Sequence, residues 1–252
     1  MNILLTNDDG IQAVGLRALY AACREAGHTV SVVAPLTEQS AVGHSLTVFQ
    51  PLRTKAVTEK DFNGTGVFGT PTDCVKLALN RLLPCTPDIV ISGINAGANV
   101  GPDILYSGTV AAATEAAHSG IPAFAVSYDN FHPENIMPQA RHAVHLATSM
   151  DFRLVPPRCV LNLNFPHASM DETRPLRVCP QTTALWKDEY VEHRDPRGNP
   201  YWWMSGHIPA EQVNAGSDRA LLTRGHMVLT PLLFEFTATA CLVPLAEWAE
   251  LH

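Results

Sequence analysis

Asp8 and Asp9 stand side by side where an apolar run, Ile3-Leu4-Leu5-Thr6, breaks into Asn7-Asp8-Asp9-Gly10. Two carboxylates a few Å apart repel, and one pKa rises unless a cation sits between them. A divalent metal is the commonest such cation. Side chains alternate along a strand, so the two can share an ion only where the chain has already turned. Gly10 permits that turn. An Asx turn or helix cap at Asp9 needs no metal and is the competing reading.

Other polar residues gather after further strand-like segments. Thr29–Ala34 leads into Gln39, Ser40, Gly43, His44 and Ser45, and Asp88–Ser92 leads into Asn95, Asn99, Ser107, Gly108 and Thr109. Ligands of open parallel sheets bind beyond the carboxyl ends of the strands, so these loops and the Asp pair can meet in one crevice. Carboxylate, hydroxyl and amide oxygens suit a hard cation, Mg²⁺ or Mn²⁺, rather than a thiophilic one. The glycine-rich run Ser92–Gly101 lacks the Gly-Lys-Ser/Thr ending of a Walker loop and is not G-x-G-x-x-G. Ser107-Gly108-Thr109 opens a helix, where free N–H groups and two hydroxyls offer a phosphate seat. Ordinary capping by Ser107 or Thr109 is the plainer alternative. His44 is a candidate proton donor or a loop-structuring residue. No H-E-x-x-H or G-x-S-x-G pattern is present, which argues against a zinc protease or a serine hydrolase.

The elements that must position these groups alternate. Strands are expected at Asn2–Thr6, Thr29–Ala34, Asp88–Ser92, Ala123–Ser127 and Val160–Asn164. Helices are expected at Val14–Ala26, Thr72–Leu83, Thr109–Ser119 and Asn135–Met150, with short strands or a hairpin over Leu46–Phe68 and a long loop over Gly93–Gly108. The pattern predicts an α/β fold, a doubly wound, mostly parallel sheet, over residues 1–165. Residues 166–252 read as extended arms, a strand at Met227–Thr237 and a final helix at Ala240–Leu251. They would complete the same domain and form the oligomer interface. Tyr201, Trp202 and Trp203 mark the arms as a subunit contact or a local cover for the sheet edge.

The 252 residues carry a net charge of -7, which argues against a general nucleic-acid binder. No apolar run is long enough to span a membrane, and no basic segment leads into a signal core, so a cytoplasmic protein is expected. The six cysteines show no C-x-x-C pair and read as buried free thiols.

Five ordered segments carry a resemblance. They are Leu5-Thr6-Asn7-Asp8-Asp9-Gly10, Gln39–Thr47 (Gln-Ser-Ala-Val-Gly-His-Ser-Leu-Thr), Gly69-Thr70-Pro71-Thr72-Asp73-Cys74-Val75, Ser92-Gly93-Ile94-Asn95-Ala96-Gly97-Ala98-Asn99, and Tyr106-Ser107-Gly108-Thr109-Val110-Ala111-Ala112-Ala113. The chain resembles the SurE family, the stationary-phase survival proteins. Ser217-Asp218 and Val228–Leu232 extend the match, which weakens between about 166 and 215. The resemblance implies a Rossmann-like α/β domain, with residues 1–165 as its catalytic core, and a dimer or tetramer built partly through carboxyl-terminal extensions. It implies one divalent cation per subunit on Asp8, Asp9, Ser40 and Asn95. It also implies hydrolysis of nucleoside monophosphates, with 3′-nucleotides and polyphosphate as further substrates of some members. Ala41 departs from the glycine often found there.

On that basis Asp8 and Asp9 are the candidate catalytic residues, and Asn99, Ser107, Gly108 and Thr109 the phosphate-binding set. A receiver-like signalling domain also carries an acidic pair, but Ser92-Gly93 stands where its acceptor Asp belongs. A non-catalytic nucleotide-binding module is the second alternative. A dinucleotide oxidoreductase lacks its glycine fingerprint here.

Overall fold

The computed structural model describes residues 1–133 and 135–250. In chain order it contains β1 (Asn2–Thr6), α1 (Val14–Glu25), β2 (Thr29–Pro35), β3 (Thr54–Glu59), β4 (Phe62–Val67), α2 (Pro71–Leu77), β5 (Ile89–Ala96), α3 (Gly108–His118) and β6 (Ala123–Tyr128). There follow α4 (Met137–Ser149), β7 (Val160–Phe165), β8 (Arg174–Val178), β9 (Lys187–Arg194), β10 (Pro200–His207), α5 (Asp218–Thr223), β11 (His226–Leu232) and α6 (Leu242–Glu250).

β1 shows why the fold is layered. Its alternating side chains split between two cores. Ile3 and Leu5 pack with Leu16, Leu19 and Ala22 of α1 and with α4. Leu4 faces the other way, onto Cys74 and Val75 of α2 and the alanines of α3. A strand buried on both faces reads as a continuous apolar run and belongs at the centre of a parallel sheet. Among the described residues, nine strands form one sheet in the order β3-β4-β2-β1-β5-β6-β7-β11-β8. The six central strands, from β4 to β7, are parallel. β3 and β11 join antiparallel to β4 and β7. Strand order reverses between β1 and β5, and the crevice at such a switch point is where ligands bind.

Close backbone approaches fix the helices. A Cβ on Gly15 would lie 2.0 Å from the Ile94 carbonyl oxygen, so α1 can sit this near β5 only with glycine there. At α2, Thr70 and Asp73 form a reciprocal capping box, with Pro71 in the first turn.

Several boundaries differ from those the sequence suggests. The α-helix expected to reach Leu83 ends at Leu77 and relaxes into a wider turn over Ala78–Leu82. The strand expected to stop at Ser92 continues to Ala96. Its pairing with β6 is interrupted between Ser92 and Asn95 and then resumes, Asn95 opposite Ser127. Gly93 makes this possible: its φ is +139°, and a Cβ would press within 2.2 Å of the Val126 carbonyl oxygen. The expected long loop is therefore short, and a 3₁₀ turn fills Gly101–Leu105.

Beyond residue 165 the chain does two things. β8 and β11 extend the main sheet, while β9 and β10 pair only with each other. β11 ends at Leu232, short of the expected Thr237, and the last helix starts at Leu242; Leu251, which the expected helix included, lies outside the described residues. Cys23, Cys74, Cys159 and Cys179 are buried free thiols, whereas Cys85 and Cys241 are exposed, which corrects the expectation for those two. Burial pushes the Cys23 thiol up to about 12. Among the described residues no helix is long and apolar enough to cross a membrane.

Candidate active site

Where β1 ends, the Asn7 side-chain amide donates to the Gly10 carbonyl at 2.9 Å. Gly10 has a φ of +96°, a conformation that favours glycine. This turn places Asp8 and Asp9 on the wall of one cavity of about 530 Å³. Glu38, Ser40, Asn95, Asn99, Asp103, Tyr106, Ser107, Phe131 and His132 line it as well. No Lys or Arg does.

Asp8 is almost wholly buried. Its Oδ1 accepts a short hydrogen bond from the Thr109 hydroxyl. Burial raises its pKa, against the opposing pull of that hydroxyl and of the Thr109 and Gly108 N–H groups. Gly108 is shaped to this contact: a Cβ there would lie 2.7 Å from the Asp8 Cβ. Asp9 accepts from the Ala96 N–H at 3.2 Å. Burial first, and then the neighbouring Asp8 charge, push its carboxyl up to about 7.

Ser40 lies on an exposed loop. That loop is tied down by the Gln39 N–H on the Asp8 carbonyl, 2.8 Å, and the Gly43 N–H on the Tyr106 carbonyl, 3.0 Å. The Ser40 hydroxyl donates to Glu38 at 2.5 Å. Asn95 stands on the resumed part of β5. Its amide nitrogen donates to the Gly97 and Ala96 carbonyls, so Oδ1 is the atom left for the cavity.

These four residues supply carboxylate, hydroxyl and amide oxygens to one cavity. Among the described residues no three His, Cys, Asp or Glu side chains cluster closely enough to hold a metal by themselves. A cation here would rest on two carboxylates and neutral oxygens, which suits a hard divalent ion. The Asp pair, with no Lys or Arg on the cavity wall, fits such an ion electrostatically.

The residues expected at the phosphate divide into two groups. Asn99 and Ser107 line the cavity; Gly108 and Thr109 lie behind Asp8, Thr109 with no exposed surface. Ser107 also caps α3, its oxygen accepting from the Val110 N–H at 3.1 Å, which leaves its own proton to donate. Asn99 is held on three sides. Its N–H reaches the Asn164 Oδ1 at 2.8 Å, and its carbonyl accepts from Asn162 at 2.8 Å and Asn164 at 3.0 Å. Its side-chain nitrogen spends one hydrogen on Ser127, 2.9 Å away, and keeps the other.

His44 lies outside this cavity. Its Nε2 is 3.0 Å from Glu115 Oε2, and it lines a separate pocket with His118, Phe234 and Phe236.

The sequence reading did not single out Glu38, Asp103, Tyr106, Phe131 or His132, nor the asparagines behind Asn99. Asn162 and Asn164 carried a signal: two amides on alternate positions of an apolar strand must find partners when buried. Phe131, in a loop without periodicity, carried none.

The family model described as survival protein SurE matches residues 3–188. The chain belongs to the SurE family. It is 65% identical over 242 residues to 5′-nucleotidase SurE of Desulfovibrio desulfuricans, covering 94% of each chain. It is 58% identical over 250 residues to 5′-nucleotidase SurE of Nitratidesulfovibrio vulgaris strain DP4, covering 99% of this chain and 100% of the relative. The crystal structure of the SurE protein from Aquifex aeolicus superposes with a TM-score of 0.82 at 33% identity, covering 99% of this chain and all of that one. The fold is thus the family's own, with the β9–β10 hairpin as a separate sheet.

Proposed function

We propose that this chain is a divalent-metal-dependent 5′-nucleotidase that releases phosphate from nucleoside monophosphates. The observation that carries the reading is the convergence of Asp8, Asp9, Ser40 and Asn95 on one cavity with Asn99 and Ser107. The 5′-nucleotidase names of its near relatives support it. Asp8, Asp9, Ser40 and Asn95 would hold one Mg²⁺ or Mn²⁺, which when bound supplies Lewis-acid charge to the phosphate.

The protein's own groups do the rest. The free hydrogen of Asn99 and the Ser107 hydroxyl bind phosphate oxygens and stabilise the charge that develops in transfer. The oxygen of Asp9 not bonded to Ala96 is free to orient the attacking water. Gly108 and Thr109 act one step back, setting the position of Asp8. 3′-Monophosphates and polyphosphate are further candidate substrates.

We further assign residues 1–165 to the catalytic core. Residues 166–252 complete the same domain and form the interface of a homodimer or homotetramer. The exposed Tyr190, Trp202, Trp203 and Met204 of the hairpin support that role. All six cysteines are unpaired, which suits the reducing cytoplasm.

The test is phosphate release from a panel of nucleoside monophosphates with Mg²⁺ or Mn²⁺. Asp9→Asn is expected to lower kcat about 10²–10³-fold, the loss typical of one transition-state contact. Full activity in Asp9→Asn, or in excess chelator, would sink the reading. Tight nucleotide binding without turnover under every metal would favour a binding module instead.

A further inference from the structure

Phe131 is 71% exposed, yet its ring is mounted on the cavity that holds the Asp pair. An isolated exposed phenylalanine means little. This one has a built seat. Gly97, at a φ of +101°, turns at the end of β5, and a Cβ there would come within 2.8 Å of Phe131 Cε1 and 2.9 Å of Cζ. The missing side chain of Gly97 is the space the ring edge occupies. The Gly97 N–H is in turn tied to the Tyr128 carbonyl at 2.8 Å, which joins the seat to β6, the strand that leads into the Phe131 loop.

The rest of the wall sharpens the point. Asp8, Asp9, Ser40, Asn95 and Asn99 are polar or charged and suit a phosphate with its cation. None of these offers a flat apolar face; Tyr106 and His132 also bring rings to the wall, and Phe131 is the ring that carries no polar group and whose edge is seated on a glycine. A nucleoside monophosphate has two ends of different chemistry, and an exposed aromatic ring beside a polar pocket matches the second end. Any base can stack on such a ring, whatever its hydrogen-bonding edge.

We propose that Phe131, seated on Gly97, is the platform on which the nucleobase of the substrate stacks. The role rests on the nucleotidase reading and adds to it the residue that separates nucleotides from other phosphomonoesters. Such a platform would supply affinity without regard to the hydrogen-bonding edge of the base, and would leave the chemical step to the Asp pair.

The experiment is steady-state phosphate release from AMP and CMP by the full-length protein with Mn²⁺, comparing wild type with Phe131→Ala and Phe131→Trp. Inhibition by inorganic phosphate is measured alongside. Phe131→Ala is expected to raise KM for both nucleotides about tenfold, consistent with loss of one base–aromatic contact. The kcat should stay within about twofold of wild type, since the platform touches the base and not the reacting atoms. Phe131→Trp should restore a low KM, and inhibition by phosphate should be the same in all three proteins. An unchanged KM in Phe131→Ala, in an active enzyme, overturns the platform and leaves the nucleotidase reading standing. Weakened phosphate inhibition with a fallen kcat would make Phe131 a structural prop of the loop, which also overturns it. A wild type that releases no phosphate from either nucleotide overturns the activity, and the platform with it.

Discussion

Gly108 shows how little room the site leaves. The amino end of α3 meets Asp8 without a side chain between them, and the Thr109 hydroxyl closes the contact. Gly108→Ala must push Asp8 or α3 aside. Groups that orient a metal ligand typically change metal affinity 10–100-fold when altered. The expected outcome for Gly108→Ala, and more mildly for Thr109→Val, is Mn²⁺ binding weakened by about tenfold or more in calorimetric titration. Unchanged affinity in both variants would mean that Asp8 is not held by this contact or does not bind the ion. Much of this scale was legible in the sequence. Asn7-Asp8-Asp9-Gly10 announced a strained carboxylate pair, and Asn95 and Asn99 fell in a glycine-rich segment after a strand. What could not be read was which of Ser107, Gly108 and Thr109 faces the cavity. Adjacent residues at a helix start face different ways, and only the packing of the α3 start against Asp8 decides which meets solvent.

The elements hold these residues through a few contacts with measurable consequences. Gly15 lets α1 approach β5 just before Asn95. Gly15→Ala inserts a methyl 2.0 Å from the Ile94 carbonyl oxygen, and overpacking of this kind costs about 1–3 kcal/mol. A lower midpoint in urea with unchanged slope is the expected result. On the opposite face, Glu115 of α3 is bonded by Lys76 of α2 at 2.7 Å and by His44 at 3.0 Å. The His44 hydrogen bond, and then Lys76, hold its carboxyl down at about 2, against the opposing effect of burial. A depressed acid pKa stabilises the fold above the unfolded value near 4.5 and loses that contribution as pH falls toward 2. Glu115→Gln should therefore cost about 1–2 kcal/mol at pH 6, reduced by the solvent exposure of Lys76 and His44. The gap from wild type should close as pH falls from 4.5 toward 2, and a gap independent of pH would argue against the ion-pair origin. At this scale the alternating strands and helices were readable from periodicity. The continuation of β5 past Gly93 was not, because a glycine after a strand reads as its end. Only the resumed pairing with β6 reveals an irregularity inside it.

For the whole molecule, a cation held at the proposed site would couple that site to stability. An ion that binds only the folded state at 100 times its Kd adds about 2.7 kcal/mol, and a chain of this size gains roughly 2–4 °C per kcal/mol. Saturating Mn²⁺ should raise the melting temperature by about 5–10 °C, and Asp9→Asn should remove most of that rise. A wild-type melting temperature indifferent to Mn²⁺ and to chelator would count against the metal site. The doubly wound architecture followed from the βα alternation over residues 1–165. β11 and α6 were legible as a strand and a helix; β8, and the place of β11 between β7 and β8, were not, since these come from long-range pairing that leaves no local pattern.

That pairing has a consequence for how the chain is made. β11 inserts between β7 and β8, and Asp218 of α5 reaches back to accept from the Gly101 N–H at 2.8 Å, close to Asn99 in the chain. On a ribosome that releases the chain from its amino end, Asp8 and Asp9 beyond β1 emerge early. The Asp218 carboxylate that steadies the loop facing them emerges much later. Until residue 232 is free, β7 offers an open edge and Gly101 lacks its anchor. A nascent chain stalled before that point should hold the sheet order of its first strands but bind no substrate, so activity arrives only once β11 has been made.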